Sequence, residues 1–239
     1  MCGRYASTRG AADLSALFEA LDETAGELSP DYNVAPTDPV PIVRRSTRTP
    51  SSVLCVARWG LVPPWARDAS GAARMINARA ETVATSRVFA HPFAERRCLV
   101  PADGWYEWLR RADGKQPYFM TRGGADVLAF AGVWSTWSTG STRMLTFSVL
   151  TLPAEGDLAL VHSRMPLVLE PDRWAAWLTA ADPTGLLGAP PPEYAAGIEL
   201  RPVSAAVGDV RNDGPDLVRA VAAPALVRST VEPLNPTLF

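Results

Sequence analysis

The sequence has few cysteines, one lysine and no long hydrophobic run. No apolar run approaches the roughly 18 residues that a membrane-spanning helix requires, so we predict no contact with a membrane. The first residues, MCGRYASTRG, lack the apolar stretch of a secretory signal, and we expect a cytoplasmic protein. Cys2, Cys55 and Cys98 form no CxxC pair. This pattern favours reduced thiols and predicts neither a metal site nor a cofactor.

Positive charge is not in excess. The chain carries 23 Lys and Arg against 25 Asp and Glu, a formal net charge of −2. Such a balance argues against binding nucleic acid by bulk electrostatics, so any nucleic-acid site must be local. Lys115 is the only lysine, and the planar donor fork of arginine suits phosphate oxygens.

The length of 239 residues suits one domain, and we predict a single domain over residues 1–239. Apolar residues at helical spacing predict a helix over 11–21. The proline-rich stretch 28–43, LSPDYNVAPTDPVPIV, predicts a long ordered loop, because proline removes backbone donors. Helical periodicity returns at 158–161 and 172–178.

Later runs rich in β-branched and aromatic residues predict strands of a mostly antiparallel sheet. These runs are SVLCVARW, RCLVPADGWYEW, PYFMT, DVLAFAGVW and RMLTFSVLTL. Residues 181–192 read as a loop. Helices and strands do not alternate regularly, so we predict an α+β domain with a β-rich core rather than a doubly wound parallel sheet.

Cys2 is the residue with the most distinctive chemistry. Removal of Met1 would leave an α-amine with a pKa of about 7.7–8.0 beside a thiol with a pKa of about 8.5. An amine and a thiol on one residue condense with an aldehyde, first to an imine and then to a five-membered thiazolidine. The dipeptide alone favours an inert or buried thiol, so the remaining motifs decide.

Six motifs follow one another in a distinctive order: MCGRYA, NVAPT, RWGLVPPW, NARAET, RCLVPADGWYEW and HSRMP. Together they resemble the SRAP family of SOS-response-associated peptidases, now described as abasic-site processing proteins. The match runs from Cys2 to about Asn212. The resemblance implies a barrel-like core flanked by helices and an active site built from Cys2, Asn77, Glu107 and His162.

The residue types alone allow a structural interpretation beside each catalytic role. Glu107 in GWYEW is either a desolvated carboxyl with a raised pKa, suited to donating a proton, or a strand residue facing water. The pKa range of His162 suits proton transfer, although an isolated histidine is more often structural. The carboxamide of Asn77 can position a hydroxyl or an amine, but it also fits a turn or cap. The resemblance favours the catalytic role in all three cases.

The resemblance also implies that Arg4, Arg79 and Arg164 surround the cysteine and bind phosphates that flank the lesion. Trp65 either stacks on an unpaired base or is a buried loop anchor. We expect Glu81 to pair with a nearby arginine.

Three further positions bear on the resemblance. His91, in the loop sequence AHPF, is predicted to be structural. Ser163 and Gly208 depart from the family pattern, and the substitution at Gly208 puts the local carboxy-terminal contacts in doubt.

The leading hypothesis is covalent capture of abasic sites in single-stranded DNA by a thiazolidine crosslink that protects the lesion during DNA repair or tolerance. Elimination from the imine would add lyase activity. An N-terminal-nucleophile amidohydrolase or peptidase is the first alternative. A non-catalytic single-strand binder is the second. We expect a monomer without cofactor or metal, associated with the nucleoid during DNA damage.

Overall fold

The computed structural model describes residues 2–26, 28–112, 114–123, 126–224 and 226. Their strands are β1 (Tyr5–Ser7), β2 (Ala20–Asp22), β3 (Asp31–Val34), β4 (Pro39–Arg45), β5 (Ser52–Trp59), β6 (Asn77–Arg79), β7 (Arg97–Ala102), β8 (Gly104–Arg111), β9 (Gly114–Arg122), β10 (Leu128–Thr139), β11 (Thr142–Pro153), β12 (Arg164–Pro166), β13 (Val168–Leu169) and β14 (Ile198–Pro202). Their α-helices are α1 (Ala11–Leu17), α2 (Ala90–Glu95), α3 (Pro171–Thr179) and α4 (Pro192–Ala195). The predicted domain also includes residues 227–239, which lie outside the described ranges.

Five strands close into a barrel in the order β11, β10, β7, β4 and β5, with β5 returning to β11. Neighbouring strands are antiparallel except at the closure, where Arg58 and Trp59 pair in parallel with Thr146 and Phe147. Closure removes free edges from these strands, and their buried apolar side chains form the main core. The predicted α+β class, with a mostly antiparallel barrel-like core and flanking helices, is confirmed.

A second sheet places the amino-terminal segment next to the barrel. Its strand order is β14, β9, β8, β1 and β3, so β1 lies between β8 and β3. Tyr5 pairs with Trp105 across β1 and β8, and its ring packs edge-on against Trp59 with centroids 5.0 Å apart. These contacts hold the start of the chain beside the strand that carries Glu107.

The proline-rich stretch 28–43 is not a loop, and this prediction was wrong. It contains β3 and most of β4. Along β4, antiparallel pairing with β5 places Pro39 and Pro41 at positions whose amides point away from β5. Pairing with β7 begins only at Val43, so the two missing amide donors leave no ladder hydrogen bond unmade.

The helix predicted over 11–21 ends early. Helix α1 stops at Leu17, and Glu19 adopts a φ of 49°, which a continuing helix cannot accommodate. The next residues form β2, which pairs in parallel with β5. Leu21 is 59% exposed, so its side chain does not contribute to the buried stripe that its spacing suggested.

The later segments agree better with the sequence. The predicted helix at 172–178 is confirmed as α3, and 158–161 overlaps a short 3-10 helix over Gly156–Leu160. The predicted loop 181–192 contains one 3-10 turn, Thr184–Leu186. No helix within the described ranges is both long enough and apolar enough to span a membrane.

Arg97, at the start of β7, ties two helices to the barrel. Its guanidinium donates to the carbonyl oxygens of Trp177 and Ala180 at 2.5 Å, and to those of Phe93 at 2.8 Å and Ala94 at 2.5 Å. Burial lowers the pKa of this guanidinium. The acceptors lie at the ends of α2 and α3, so one side chain satisfies carbonyls that the helices leave unpaired.

Arg97→Met should therefore lower the free energy of unfolding by about 3 kcal/mol, because methionine keeps the apolar stem but leaves buried carbonyls without donors. Urea denaturation followed by fluorescence measures the loss. Arg110→Met, at an exposed position, is the matched control and should change stability by less than about 0.5 kcal/mol. Equal stability of the two variants would contradict this role for Arg97.

Candidate active site

Three parts of the fold meet at one end of β11. Strand β6, which begins at Asn77, pairs in parallel with β11. Strand β12, which follows His162, pairs with the last residues of β11. The amino-terminal segment continues the pairing with β8 beyond β1, since the Tyr106 amide donates to the Arg4 carbonyl at 2.9 Å. Sequence neighbours of Cys2 are thereby held next to Glu107.

The four predicted catalytic residues contact one another in two pairs. Asn77 Nδ2 donates to the carbonyl oxygen of Cys2 at 2.7 Å. Glu107 Oε1 lies 4.0 Å from His162 Nδ1. The charge of Glu107 also acts on the thiol of Cys2, which links the two pairs. Cys2 is completely buried.

Glu107 is a buried carboxyl and not a strand residue facing water. Only 4% of it is exposed. Burial raises the pKa of Glu107 to about 7, because a charged carboxylate is poorly solvated there. The carboxyl can therefore both hold and release a proton near neutral pH, as a general acid must.

The ring of His162 is oriented by the backbone two residues further along. Its Nδ1 lies 3.0 Å from the amide nitrogen of Arg164 and 3.2 Å from the carbonyl oxygen of the same residue. The neutral tautomer with its proton on Nδ1 donates to this carbonyl and leaves the lone pair of Nε2 free to accept a proton. Burial lowers the pKa of His162, which favours this neutral form and makes the ring a proton acceptor at neutral pH.

The thiol of Cys2 differs from that of a free amino acid. Burial raises its pKa, and the charge of Glu107 raises it further. A thiol in this environment is protonated at neutral pH, so a reaction at this sulfur starts from the S–H form. Cys55 and Cys98 are also buried with raised pKa values, and all three cysteines are free, as the sequence predicted.

Two predicted DNA-binding arginines already have partners within the protein. Arg164 forms a two-pronged ion pair with Glu81, with Nη2 and Oε2 3.0 Å apart, and donates to the Thr151 carbonyl at 2.6 Å. The expected pairing of Glu81 is thereby confirmed. Arg4 donates to Asn33 Oδ1 at 2.6 Å and to the Val207 carbonyl at 2.9 Å.

Asn33 is a buried residue whose role the sequence did not reveal. Its Nδ2 donates to the carbonyls of Asp209 at 3.0 Å and Asn212 at 2.8 Å. The sequence feature that points to a role for Asn33 is its place in the NVAPT motif. Gly208 lies in the carboxy-terminal segment that these hydrogen bonds hold. The acceptors are backbone carbonyls, so a glycine at position 208 in place of the residue typical of the family does not remove these hydrogen bonds.

The remaining predicted positions lie at the surface. Arg79 is exposed at the end of β6. Trp65 is 58% exposed, which excludes the buried anchor, and Trp137 Nε1 holds its loop by donating to the Ala66 carbonyl at 2.8 Å. His91 and Ser163 are exposed. The described residues contain no group of three or more His, Cys, Asp or Glu that could hold a metal ion.

The barrel, with a buried carboxyl and a half-buried histidine beside an amino-terminal cysteine, defines a class of protein in which the start of the chain is part of the candidate site. The family model for SOS response associated peptidase (SRAP) matches residues 1–210. The chain belongs to this family.

Relatives of known name come from bacteria and from vertebrates. The abasic site processing protein YoqW of Bacillus subtilis is 33% identical over 92% of this chain and 100% of its own length. The abasic site processing protein YedK of Escherichia coli is also 33% identical, with the same coverage. The abasic site processing protein HMCES of Gallus gallus is 30% identical over 90% of this chain and 76% of its own.

Solved structures share the fold. A crystal structure of a Bacteroides thetaiotaomicron protein superposes with a TM-score of 0.80 at 22% identity, covering 92% of this chain and all of the other. A Bordetella bronchiseptica protein superposes with a TM-score of 0.70 at 25% identity, covering 85% of this chain and all of the other.

Proposed function

We propose that the protein captures abasic sites in single-stranded DNA as a covalent adduct on Cys2 after Met1 is removed. The observation that carries this proposal is the position of Cys2, held through its carbonyl by Asn77 beside the buried carboxyl of Glu107, which faces the half-buried ring of His162. The bacterial and vertebrate relatives named above are abasic site processing proteins. The adduct shields the lesion during repair or tolerance of DNA damage.

The first step opens the abasic sugar. Glu107, with its pKa near 7, donates a proton to the ring oxygen. Neutral His162 accepts the proton of the C1 hydroxyl, which becomes the aldehyde. Glu107 is then a carboxylate, and His162 is an imidazolium that carries the proton needed for the next step.

The second step joins the amine of Cys2 to the aldehyde carbon. The resulting carbinolamine loses its hydroxyl as water with the proton from His162, and the nitrogen releases its proton to solvent, leaving a C=N bond. The S–H of Cys2 then adds across this bond, with sulfur on carbon and hydrogen on nitrogen. One aldehyde and one aminothiol give one thiazolidine and one water, which agrees with a thiol that is protonated before it reacts.

Exposed side chains bind the strand in this proposal. Exposed Arg79 supplies a cationic donor to a flanking phosphate, and exposed Trp65 stacks on an unpaired base. Arg4 and Arg164 hold neighbouring segments in place through their contacts with Asn33 and Glu81. Their other N–H groups bind phosphates of the DNA.

The imine can also react in a second way. If the 3′ phosphate is eliminated from the sugar before the thiol adds, the strand is cut, and this lyase activity competes with the crosslink.

The proposal is tested by mixing purified protein with single-stranded DNA that carries one abasic site, followed by denaturing electrophoresis. A heat-stable shifted band supports covalent capture. The amidohydrolase alternative predicts an acyl-enzyme with amide or peptide substrates and indifference to the aldehyde. A single-strand binder without chemistry gives no band and keeps its affinity when Cys2 is replaced.

The pH dependence of the crosslinking rate should reveal the titration of Glu107. Its carboxyl is protonated below a pKa of about 7, so the acid step is at full strength in that range and weakens about tenfold per pH unit above it. We expect the ratio of the wild-type rate to the Glu107→Gln rate to be constant below about pH 6 and to fall above about pH 7. Single-turnover rates across this range measure the ratio.

A ratio that stayed constant on both sides of pH 7 would mean that another group supplies the proton.

A further inference from the structure

A depression rich in arginine lies around Trp134, at the other end of the barrel from the candidate active site. One half has a volume of about 510 Å³ and is lined by Arg44, Arg48 and Arg143 together with Glu23. The other half has a volume of about 450 Å³ and shares Trp134 with the first. Six arginines and two glutamates line the two halves or stack on Trp134, in a chain whose net charge is negative. The arginines are Arg44, Arg45, Arg48, Arg96, Arg97 and Arg143, and the glutamates are Glu23 and Glu95.

Trp134 organises the arginines. The guanidinium carbons of Arg44 and Arg96 lie 5.1 Å and 5.4 Å from its ring centroid. Arg44 also donates to the Arg45 carbonyl at 2.9 Å and lies 3.7 Å from Glu23 Oε2. A guanidinium that stacks on an aromatic ring, as that of Arg96 does, loses less freedom when it binds an anion. Arg48 and Arg143 are exposed and form no ion pair with a described carboxylate. The depression therefore combines guanidinium groups held on the Trp134 ring with exposed guanidinium groups whose charge no described carboxylate neutralises.

The depression and the candidate active site lie at opposite ends of one strand. Strand β11 pairs with β6 and β12 near Thr151 and borders the depression at Arg143. Eight residues separate these positions, a distance of about 27 Å along an extended strand. The loop of Trp65 leaves β5 after Trp59, which pairs with Phe147, and reaches β6 at Asn77, which pairs with Val149, so both of its ends lie between these positions along β11. The loop carries exposed Arg67 and Arg74, and Trp137 Nε1 fastens it to β10 through the Ala66 carbonyl.

We propose that this depression binds phosphates of the same single strand of DNA, several nucleotides away from the reacting sugar. The proposal rests on the proposed function. Trp134 is almost completely buried beneath the guanidinium groups, so bases cannot stack on it, and the recognised chemistry is that of the phosphodiester. The strand would run from the Cys2 site along the Trp65 loop to Arg143 and Arg48, and recognition there would not depend on sequence.

The test compares lesion-free oligonucleotides of about 6 and about 20 nucleotides, which are near the lower limit and above the range of single-strand site sizes. Fluorescence anisotropy gives the affinity of the wild type and of the double variant Arg48→Ala, Arg143→Ala. We expect the variant to lose at least about fivefold in affinity for the long strand, with a salt slope reduced by about 1.4 for two phosphates. Affinity for the short strand should not change.

The control is the double variant Arg110→Ala, Arg219→Ala, which removes the same charge from exposed positions outside the depression. It should bind both strands like the wild type. Because the DNA carries no lesion, the result does not depend on the chemistry of Cys2, and failure of the crosslinking assay would be recognised separately.

Two outcomes would overturn the proposal. One is equal loss of affinity for the long strand in both double variants, which would mean that only net charge matters. The other combines two results: inorganic pyrophosphate binds, as measured by calorimetry, only when Arg48 and Arg143 are present, and the affinity for the long strand does not depend on these residues. Together they would assign the depression to a free phosphate compound.

Discussion

Cys2→Ser should abolish the heat-stable adduct with abasic single-stranded DNA. Serine keeps the α-amine, so the variant still forms the imine, but it lacks the sulfur that closes the thiazolidine. An imine hydrolyses during denaturing electrophoresis, and the shifted band should disappear. Adding a hydride reductant should restore a band, because reduction turns the C=N bond into a stable amine.

Cys55→Ser is the matched control for this variant. Its thiol is buried like that of Cys2 but has no adjacent amine, so the variant should crosslink like the wild type. Mass spectrometry of the intact protein checks that Met1 is absent from all three proteins. A heat-stable band from Cys2→Ser without reductant would be incompatible with a thiazolidine.

Glu107→Gln should crosslink about 10²–10⁴-fold more slowly than the wild type, because glutamine cannot donate the proton that opens the sugar. Glutamine has nearly the same shape, so affinity for lesion-free single-stranded DNA should be almost unchanged. Single-turnover crosslinking and anisotropy separate the two effects. A rate equal to that of the wild type would return this buried carboxyl to a structural role.

A second substrate distinguishes Glu107 from His162. A small open-chain aldehyde needs no ring opening, so it should recover much of the rate lost in Glu107→Gln. His162→Ala should stay slow with both aldehydes, because its proton is needed when water leaves the carbinolamine. The same recovery in both variants would contradict the separate roles.

The sequence predicted those parts of the fold in which local pattern and final structure agree. The run at 52–59 and the run at 143–152 became β5 and most of β11, because β-branched and aromatic residues suit a buried strand in most environments. The stretch 28–43 was misread because a proline in a strand is acceptable only where the missing amide faces no partner. That condition depends on β7, more than fifty residues later.

The candidate site shows the same division. The motifs identified Cys2, Asn77, Glu107 and His162 as residues to be brought together, and their side-chain types indicated the chemistry. The sequence predicted that Glu81 pairs with an arginine but did not identify Arg164, and it gave no partner for Arg4, because these partners lie 83 and 203 residues apart in the chain. Solvent exposure likewise decided between the two interpretations of Trp65.

The burial of Cys2 imposes an order of events during synthesis. Cys2 is held by Asn77 and by the pairing of the neighbouring residues with β8, so it cannot be enclosed until residues up to Arg111 have left the ribosome. At ordinary rates of translation this takes roughly 5–20 s. Throughout that interval the first residues remain open to the enzymes that remove the initiator methionine. The emergence of β8 therefore marks the end of the period in which the start of the chain is freely accessible.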